Sequence, residues 1–417
     1  MSRSPLLEAI AEPLGTAFDL LAAYRPPIGV FFERGGRGVA GAAGFPTLTF
    51  GAPEPRGLTH VVDLLRTSVS GPHHHVGPVA VGAISFDRGG GALHELVVPR
   101  RAVRRGTDGR TWRVDTTSVD EAGEEPPPFE PVAAGDPHEP FGQVQLRGLP
   151  TAAEYAEAVA AVVERIRASS LRKVVLARTI EVAAGRVLDT RLLAHRLRAV
   201  DPSAYTFAVP TDRGVLVGAS PELLVSRMGP EVRSNPLAGS AARSGDREED
   251  RANADALLAS TKDREEHAIV VDAVAATLRP VCARLTWDPE PVLRETPNVW
   301  HLSTRFRGEL REPAPSALEL VADLHPTPAV AGTPTDEALD AIAELEPFDR
   351  GRYAGPVGWV DATGDGEWAI ALRCAELRGD RATLYAGAGI VAGSDPAREV
   401  DETERKFRAF LDALRWG

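Results

Sequence analysis

The sequence G-A-G-I-V-A-G-S-D-P-A-R-E-V-D-E-T-E-R-K-F runs from Gly387 to Phe407, near the end of the chain. Its glycine-rich half predicts a strand that ends in a turn, and its charged half predicts a helix. On that helix, Glu399, Glu402 and Lys406 recur at spacings of three and four, which places them on one face. Taken alone, such a face is typical of a solvated helix with an internal ion pair.

A second charged segment repeats this acidic spacing. Helix-forming residues run through 248–274, and Asp263 and Glu266 lie three apart within them. Ile269 and Val270 follow at helical spacing and predict a buried side. The chain therefore carries two predicted helices, each with an acid-x-x-acid pair.

Composition and charge set the broad class. The 417 residues are 43% hydrophobic and 25% charged, as expected for one large folded domain or two to three smaller ones. The net charge of −12 makes nucleic acid an unexpected partner, and an anionic substrate would need a locally cationic pocket. Cys282 and Cys374 cannot form a disulfide framework. With no signal-peptide core and no run long enough to span a bilayer, we expect a cytoplasmic protein without a membrane partner.

The N-terminal third predicts short strands broken by glycine. His73, His74 and His75 lie in a Gly/Pro loop, which favours an exposed turn over a metal site. The acidic, proline-rich stretch 119–140 predicts a surface loop. Because such a loop need not separate domains, the strands before it are expected to complete a sheet formed by later strands.

Later segments alternate helices and strands. Thr151 and Glu154 form a capping-box pattern ahead of a helix, and a β-branched strand then begins at Lys173. The turn S-P-E-L-L holds Glu222 just after a strand that should be buried.

Two further runs each predict one strand. The first is W-H-L-S-T-R-F-R-G-E-L at 300–310, and the second is W-A-I-A-L-R-C-A-E-L at 368–377. The second run is expected to form a hairpin with the preceding strand, with T-G-D-G at its tip.

Nine short motifs then point to a family. In chain order from about residue 145 they are K-V-V-L-A-R, S-P-E-L-L, P-L-A-G-S, K-D-R-E-E-H, H-L-S-T, L-H-P-T-P-A-V-A-G, R-Y-A-G-P-V-G-W, A-L-R and G-A-G-I-V…E-V-D-E-T-E-R-K. Together they resemble the chorismate-utilising enzymes, which include isochorismate synthases, salicylate synthases and the large subunits of anthranilate and aminodeoxychorismate synthases. Each motif is weak alone, but nine in the family's order make coincidence negligible.

The resemblance implies one large α/β (α+β) domain, similar to anthranilate synthase component I. Two antiparallel sheets would pack face to face, with helices outside and the pocket buried between the sheets. Residues 145–417 would form the chorismate-binding catalytic region, and residues 1–140 would add strands to the same fold.

The family resemblance also implies a reaction that depends on Mg²⁺. Magnesium favours oxygen ligands in octahedral geometry and retains waters, so two facing acid pairs suit it. By similarity, Glu266 and Glu402 are expected as direct ligands, with Asp263 and Glu399 acting through water. The alternative, buried acid pairs that repel each other without an ion, would be costly.

Further matching positions are expected to bind the substrate, chorismate. Arg373 on its strand can pair with a carboxylate, and Lys406 can reach the same group or its neighbour. Backbone N–H groups at the matching glycines suit a second anion. The predicted substrate-binding set is Gly239, Ser240, His301, Ala329, Tyr353, Arg373, Gly387, Gly389 and Lys406. For Tyr353 and His301, ordinary hydrogen bonding in the core is the alternative.

Two residues resemble the family's catalytic pair. Isochorismate synthesis adds water at ring C2 while the C4 hydroxyl departs, so it needs a base and an acid. Lys173 matches the position of the family's base. An apolar strand and nearby cations would favour the neutral form of its amine, which can accept a proton. Glu222 resembles the acid, which needs a raised pKa in a poorly solvated site.

Differences between this chain and other members of the family indicate which nucleophile it uses. Anthranilate synthases carry glutamine where this chain has Lys173, and common aminodeoxychorismate synthases carry lysine where it has Ala238. Both differences favour water. The family's lyases tend to have threonine at the position of Ala329, so the resemblance favours an isochorismate synthase, with a salicylate synthase as the alternative.

Neither alternative needs a macromolecular partner. The isomerases of the family are commonly monomers, and we expect a monomer that acts in siderophore or menaquinone biosynthesis. A catalytically silent relative is the competing class of protein. Against it, every expected catalytic position holds a competent residue.

Overall fold

Two large antiparallel sheets, with helices on their outer faces, carry most of the chain. The computed structural model describes residues 7–15, 18–42, 48–51, 59–66, 76–87, 93–106, 108–118 and 136–415. The predicted histidine turn at 73–75 and most of the predicted loop 119–140 lie outside these ranges. Within them, no helix has both the length and the apolar character to cross a membrane.

The helices of the described residues are α1 (Thr59–Arg66), α2 (Ala152–Ala168), α3 (Thr190–Val200), α4 (Arg247–Ala259), α5 (Thr261–Leu278), α6 (Ala317–Leu324), α7 (Thr335–Leu345) and α8 (Pro396–Leu414). One turn of 3₁₀ helix covers Leu20–Ala23. The capping box predicted at Thr151 and Glu154 is confirmed, since the side chain of each residue accepts from the backbone N–H of the other. It fixes the start of α2.

The strands before the acidic loop are β1 (Leu7–Leu14), β2 (Val30–Arg34), β3 (Arg37–Ala42), β4 (Leu48–Gly51), β5 (Val79–Ala83), β6 (Leu93–Val97), β7 (Arg101–Arg105) and β8 (Thr111–Ser118). Those after it are β9 (Val144–Leu149), β10 (Lys173–Ala184), β11 (Tyr205–Thr211), β12 (Gly214–Ser220), β13 (Leu223–Met228), β14 (Glu231–Asn235), β15 (Leu237–Ala242), β16 (Cys282–Trp287), β17 (Val292–Glu295), β18 (Val299–Ser303), β19 (Phe306–Leu310), β20 (Gly332–Thr333), β21 (Pro356–Asp361), β22 (Gly366–Ile370), β23 (Cys374–Arg378) and β24 (Arg381–Ile390).

These strands form two large sheets and one small sheet. The first sheet has 12 strands in the order β1-β8-β7-β3-β2-β11-β12-β23-β24-β10-β20, with β9 also paired to β10. The second has nine, in the order β16-β19-β14-β13-β22-β21-β5-β6-β4. A three-stranded sheet, β15-β18-β17, was not expected from the sequence. Strands from the N-terminal third enter both large sheets.

The main hydrophobic core lies between the two large sheets. Phe32 of β2 and Phe207 of β11 belong to it, together with Trp368 of the second sheet. Their neighbours Phe31 and Ala208 belong to a second cluster, which includes residues of α3 and α8 on the outer face. This alternation follows from the two-residue period of a strand, and it gives the first sheet two apolar faces.

The chain changes sheets at two connections that prove important for the site. β12 lies in the first sheet and β13 in the second, and Pro221 and Glu222 join them. The chain returns from β22 to β23 across residues 371–373. There Arg373 has a φ of 50°, in the left-handed region that residues other than glycine rarely adopt. Such strained backbone concentrates at functional sites.

Three segments predicted as continuous are divided in the structure. The run 368–377 is β22 and β23 in different sheets, so Arg373 lies in the connection rather than on a strand. The run 300–310 divides into β18 of the small sheet and β19 of the second sheet. The helical stretch 248–274 is α4 and α5, and Ser260 ends one and caps the next. In the two strand runs the apolar pattern continues while the backbone changes its bonding partner, whereas the helical stretch divides because Ser260 adopts extended backbone.

A buried ion pair supports β10 where neighbouring strands stop. On one side of β10, β9 pairs with residues 179–184 and β20 with residues 173–174. Between them, Arg350 donates to the Val175 carbonyl oxygen at 2.7 Å, and Glu346 accepts from the Ala177 N–H at 2.7 Å. Arg350 also bonds Glu346, and each side chain is 3% exposed. The pair therefore satisfies backbone groups that a strand would otherwise satisfy.

Replacing Arg350 with methionine should destabilise the fold strongly, because it leaves Glu346 buried without its cation. We expect the free energy of unfolding to fall by about 3–5 kcal/mol. The matched control is Arg165→Met, since Arg165 and Glu344 form an exposed pair whose side chains are 39% and 67% accessible. That change should cost less than about 1 kcal/mol. Denaturant unfolding followed by circular dichroism measures both, and equal shifts would contradict the role of the buried pair.

Candidate active site

A cavity lined by strands of the first sheet and of the small sheet, and by connections between sheets, gathers most of the predicted site residues. The pocket was expected between the two large sheets. It holds ≈ 600 Å³ of empty space including its mouth. Twelve of the fifteen predicted residues line it: Glu222, Gly239, Ser240, Glu266, His301, Ala329, Tyr353, Arg373, Gly387, Gly389, Glu402 and Lys406. The other three, Lys173, Asp263 and Glu399, are outside the lining.

Helices α5 and α8 carry the acidic side of the cavity. Both pack against β15 of the small sheet. The Ser260 hydroxyl caps α5 by accepting from the Asp263 N–H, which fixes where this helix begins. Glu266 and Glu402 reach the lining, whereas Asp263 and Glu399 lie one turn earlier on their helices.

Three lysine–carboxylate ion pairs surround this acidic side: Lys173 Nζ to Glu266 Oε1 at 3.0 Å, Lys262 Nζ to Glu399 Oε1 at 3.2 Å, and Lys406 Nζ to Glu402 Oε1 at 2.5 Å. The fourth carboxylate, Asp263, accepts from the Ser260 hydroxyl. Lys173 is 1% exposed. The sequence predicted apolar and cationic surroundings for Lys173. The structure corrects this, because an acid from a distant helix faces it.

The donor atoms suit a hard cation, but they do not surround a single point. In the part of the chain that the structure describes, no three His, Cys, Asp or Glu side chains are grouped to hold a metal. Burial, and then the charge of Glu402, raise the pKa of Glu399 to about 7. Burial also raises the pKa of Asp263. The carboxylates thus fit Mg²⁺ in chemistry and charge, while lysines and Ser260 hold them in this arrangement.

Glu402 differs from its neighbours because a cation is close. Burial acts to raise its pKa, but Lys406 and the Ser240 hydroxyl outweigh burial and lower the pKa to about 2. Lys406 also donates to the Gly387 carbonyl oxygen at 2.8 Å. Glu402 is therefore a carboxylate throughout the neutral pH range, as a metal ligand must be.

Three predicted glycines make room for these side chains. A Cβ at Gly389 would lie 2.2 Å from Glu266 Oε1, and a Cβ at Gly387 would lie 3.1 Å from the Tyr353 hydroxyl oxygen. Gly239 has a φ of 73°, which glycine adopts readily. The structure thus adds a steric reason for glycine to the predicted role of the N–H groups as anion donors.

Arg373 and His301 form a polar pair at the cavity wall. Burial, and then the charges of Arg373 and Lys406, lower the pKa of His301 to about 3, so its ring is neutral. Its Nε2 accepts from Arg373 Nη2 at 3.1 Å, which leaves Nδ1 to donate to the Gly239 carbonyl oxygen at 3.3 Å. His301 therefore orients the guanidinium, whose other N–H groups can pair with a carboxylate.

Glu222 is a buried acid with little hydrogen bonding. Its side chain accepts from the Leu237 N–H at 3.5 Å, a long contact, and the residue is 4% exposed. Burial raises the pKa of Glu222 to about 7, although the Leu237 N–H and Lys173 act to lower it. The carboxyl group can therefore carry a proton near neutral pH, as predicted for a general acid.

Tyr353 and Ala329 complete the wall. The Tyr353 ring stacks on Tyr385 with centroids 5.1 Å apart and 10° between the planes. This contact fixes the ring that lines the cavity. Ala329 places a methyl group in the lining, where a threonine would add a hydroxyl.

Lys262 opens the K-D-R-E-E-H motif, but the sequence analysis gave it no role in the site. A lysine beside acids on a helix ordinarily predicts a solvated ion pair, yet this one reaches across to Glu399 on another helix. A compositional signal was available in the sequence. Of the 47 basic residues only three are lysine, namely Lys173, Lys262 and Lys406. All three belong to this site.

The two-sheet fold and its buried cavity of paired acids and bases agree with comparisons to known proteins. A family model described as chorismate binding enzyme matches residues 131–415. The isochorismate synthase DhbC of Bacillus subtilis (strain 168) is 49% identical over 276 residues, which cover 64% of this chain and 69% of that protein. The chain therefore belongs to the chorismate-binding enzyme family.

Solved structures extend the similarity to the N-terminal third. The crystal structure of a putative 2,3-dihydroxybenzoate-specific isochorismate synthase, DhbC from Bacillus anthracis, matches with a TM-score of 0.81 and 38% identity, covering 95% of this chain and 99% of that one. The menaquinone-specific isochorismate synthase MenF from Escherichia coli gives 0.78 and 25%, covering 99% and 95%. The predicted family and fold class are thus confirmed.

Gly389→Ala should disable the site without unfolding the protein, because the new Cβ would overlap the Glu266 carboxylate. We expect turnover to fall roughly 100-fold, as displacement of an active-site group by about 1 Å commonly produces. Gly393→Ala is the control, since nothing lies within 4 Å of a Cβ there. Steady-state assays with thermal unfolding test both variants. A fully active Gly389→Ala enzyme would show that Glu266 need not occupy this position.

Proposed function

We propose that this protein is an isochorismate synthase, which converts chorismate to isochorismate. Water adds at ring C2 while the C4 hydroxyl leaves, so the product is an isomer of the substrate. The observation that carries the proposal is a buried acid, Glu222, in the cavity lining together with a buried lysine, Lys173, which is bound to the lining residue Glu266. Similarity to isochorismate synthases over both sequence and fold supports it.

Lys173 is the proposed base. It opens β10, where pairing with Thr333 of β20 fixes its backbone. Its ammonium is bound to Glu266, and it would lose this partner and release a proton to solvent if Glu266 held a cation instead. The neutral amine can then take a proton from the attacking water.

Glu222 is the proposed acid, and it gives its proton to the departing C4 hydroxyl, which leaves as water. A carboxyl group with a pKa of about 7 can donate this proton near neutrality and recover it afterwards. The water consumed at C2 balances the water released at C4. No other reactant is needed.

Arg373 and Lys406 are proposed to hold the carboxylates of chorismate. His301 orients the Arg373 guanidinium, and Gly387 positions the Lys406 ammonium through its carbonyl oxygen. These cations place positive charge beside an anionic substrate inside an acidic protein. Glycine N–H groups would add donors for the second anion.

We further propose Mg²⁺ as the cofactor, with Glu266 and Glu402 as direct ligands and Asp263 and Glu399 acting through water. When bound, the ion would supply positive charge that offsets the acids and a substrate carboxylate. The low pKa of Glu402 supports this assignment. So does the space that Gly389 leaves for the Glu266 carboxylate.

We propose that the enzyme acts as a cytoplasmic monomer on a small molecule alone. The proposed acid, Glu222, and the substrate-binding cations Arg373 and Lys406 are supplied by one chain. The free, buried Cys282 and Cys374 agree with a reducing compartment.

Incubation with chorismate and Mg²⁺ should give a product of unchanged mass and no pyruvate. Liquid chromatography with mass spectrometry and a coupled pyruvate assay measure both. Lys173→Ala, checked for folding by circular dichroism, should give no product. Salicylate with an equivalent of pyruvate would assign a salicylate synthase instead, and unchanged chorismate would favour a silent relative.

Glu222→Gln should remove activity and yet stabilise the protein at high pH. Turnover should fall roughly 10²–10⁴-fold, because the amide cannot donate the proton. The folded-state pKa of about 7 exceeds the ordinary value of 4.5 for a glutamate, so the stability that protonated Glu222 contributes is lost as pH rises from 4.5 through 7. Glutamine mimics the protonated form.

The free energy of unfolding of the variant should therefore be close to that of the wild type near pH 5. At pH 8.5 it should be higher than that of the wild type by about 2–3 kcal/mol. Denaturant unfolding at the two pH values measures this difference. A difference that does not change with pH would contradict the raised pKa of Glu222.

A further inference from the structure

Lysine is rare in this chain, and its positions are not scattered. Three of the 47 basic residues are lysine and the others are arginine. All three ammonium groups bond carboxylates of the candidate active site. Lys173 and Lys406 have proposed roles toward the reacting molecules, but Lys262 has none. A separate reason is needed for a lysine at position 262.

Where this chain holds a fully buried carboxylate in the core, as at Glu346, the partner is an arginine, Arg350. A guanidinium presents a planar fork that can grip a carboxylate through two bonds. An ammonium is a compact point charge on a flexible stem, and it can turn from one partner to water. Lysine therefore suits carboxylates that have to be released.

The position of Lys262 links the two acid pairs. It lies in the first turn of α5, next to Asp263 and one turn before Glu266. Its ammonium crosses to Glu399, in the first turn of α8. The Lys262 side chain is 36% exposed, whereas Glu399 is 4% exposed. The ammonium thus compensates a buried charge and has solvent beside it.

We propose that Lys262 is a displaceable counter-ion of the divalent-cation site. Its ammonium holds Glu399 and reduces the negative charge of the acid pairs, and it turns toward solvent when a divalent cation takes its place. The inference rests on the proposed function, because it assumes that these acids bind Mg²⁺. Lys262 is accordingly a positioning residue that competes with the metal and limits its affinity.

Manganese binding to the free enzyme tests this directly, with Mn²⁺ as a paramagnetic probe and no chorismate present. Lys262→Met removes the competing charge and should tighten Mn²⁺ binding roughly tenfold. Lys262→Arg keeps the charge but can grip Glu399 through two bonds, so it should weaken binding by a similar factor. Electron paramagnetic resonance of unbound Mn²⁺ measures the affinity.

Arg264→Met is the matched control. It removes one positive charge two positions away on the same helix, but Arg264 pairs with Glu290, whose side chain is 69% exposed. Its Mn²⁺ affinity should stay within about twofold of the wild type, because exposed charges are screened. Thermal unfolding of all variants separates changes in affinity from loss of fold.

A second measurement follows the ammonium itself. Lysine-selective ¹⁵N labelling should give three side-chain resonances, one for each lysine, and the Lys262 variants assign one of them. Adding Mg²⁺ without chorismate should shift the Lys262 resonance as its partner changes from a carboxylate to water.

Two results would overturn the proposal. One is equal Mn²⁺ affinity of the wild type and Lys262→Met, and the other is a Lys262 resonance that Mg²⁺ does not move. Either result would overturn the role of Lys262 and still leave the proposed isochorismate synthase function standing. A wild type that binds no Mn²⁺ would also remove the metal from the proposed function, and the chorismate assay then shows whether the reaction survives.

Discussion

The rest of this structure depends on the confinement of four carboxylates beside one buried cavity. Buried like charges repel strongly, so each acid needs a compensating group. Three lysines and the Ser260 hydroxyl supply that compensation. The cap of α5, the contacts of both acid helices with β15, and the missing Cβ at Gly389 are all consequences of this requirement.

Environment gives identical side chains different chemistry. Glu222 and Glu399 have pKa values raised to about 7, whereas that of Glu402 is lowered to about 2. Glu222 is buried with only a long backbone hydrogen bond, Glu399 is buried near another acid, and Glu402 has Lys406 beside it. One fold can therefore hold both a proton donor and a permanently charged ligand within a single site.

Two other residues of the site, Glu222 and Arg373, lie on two of the connections where the chain passes from one large sheet to the other. Both residues line the cavity. Arg373 has left-handed backbone in the short connection between β22 and β23. Arg350 and Glu346 support β10 from its other edge, next to the cavity residue Val175.

The sequence by itself determined the family, the two acid helices and most of the residues that line the cavity, because short motifs and helical spacing are local properties. It did not determine where 368–377 and 300–310 break, since an apolar pattern continues while the backbone changes partner. It also did not reveal that Lys262 reaches Glu399 or that Glu266 holds Lys173. Those contacts join residues 93 or more positions apart (266 − 173 = 93), and only the tertiary fold brings such groups close enough for their charges to act on each other.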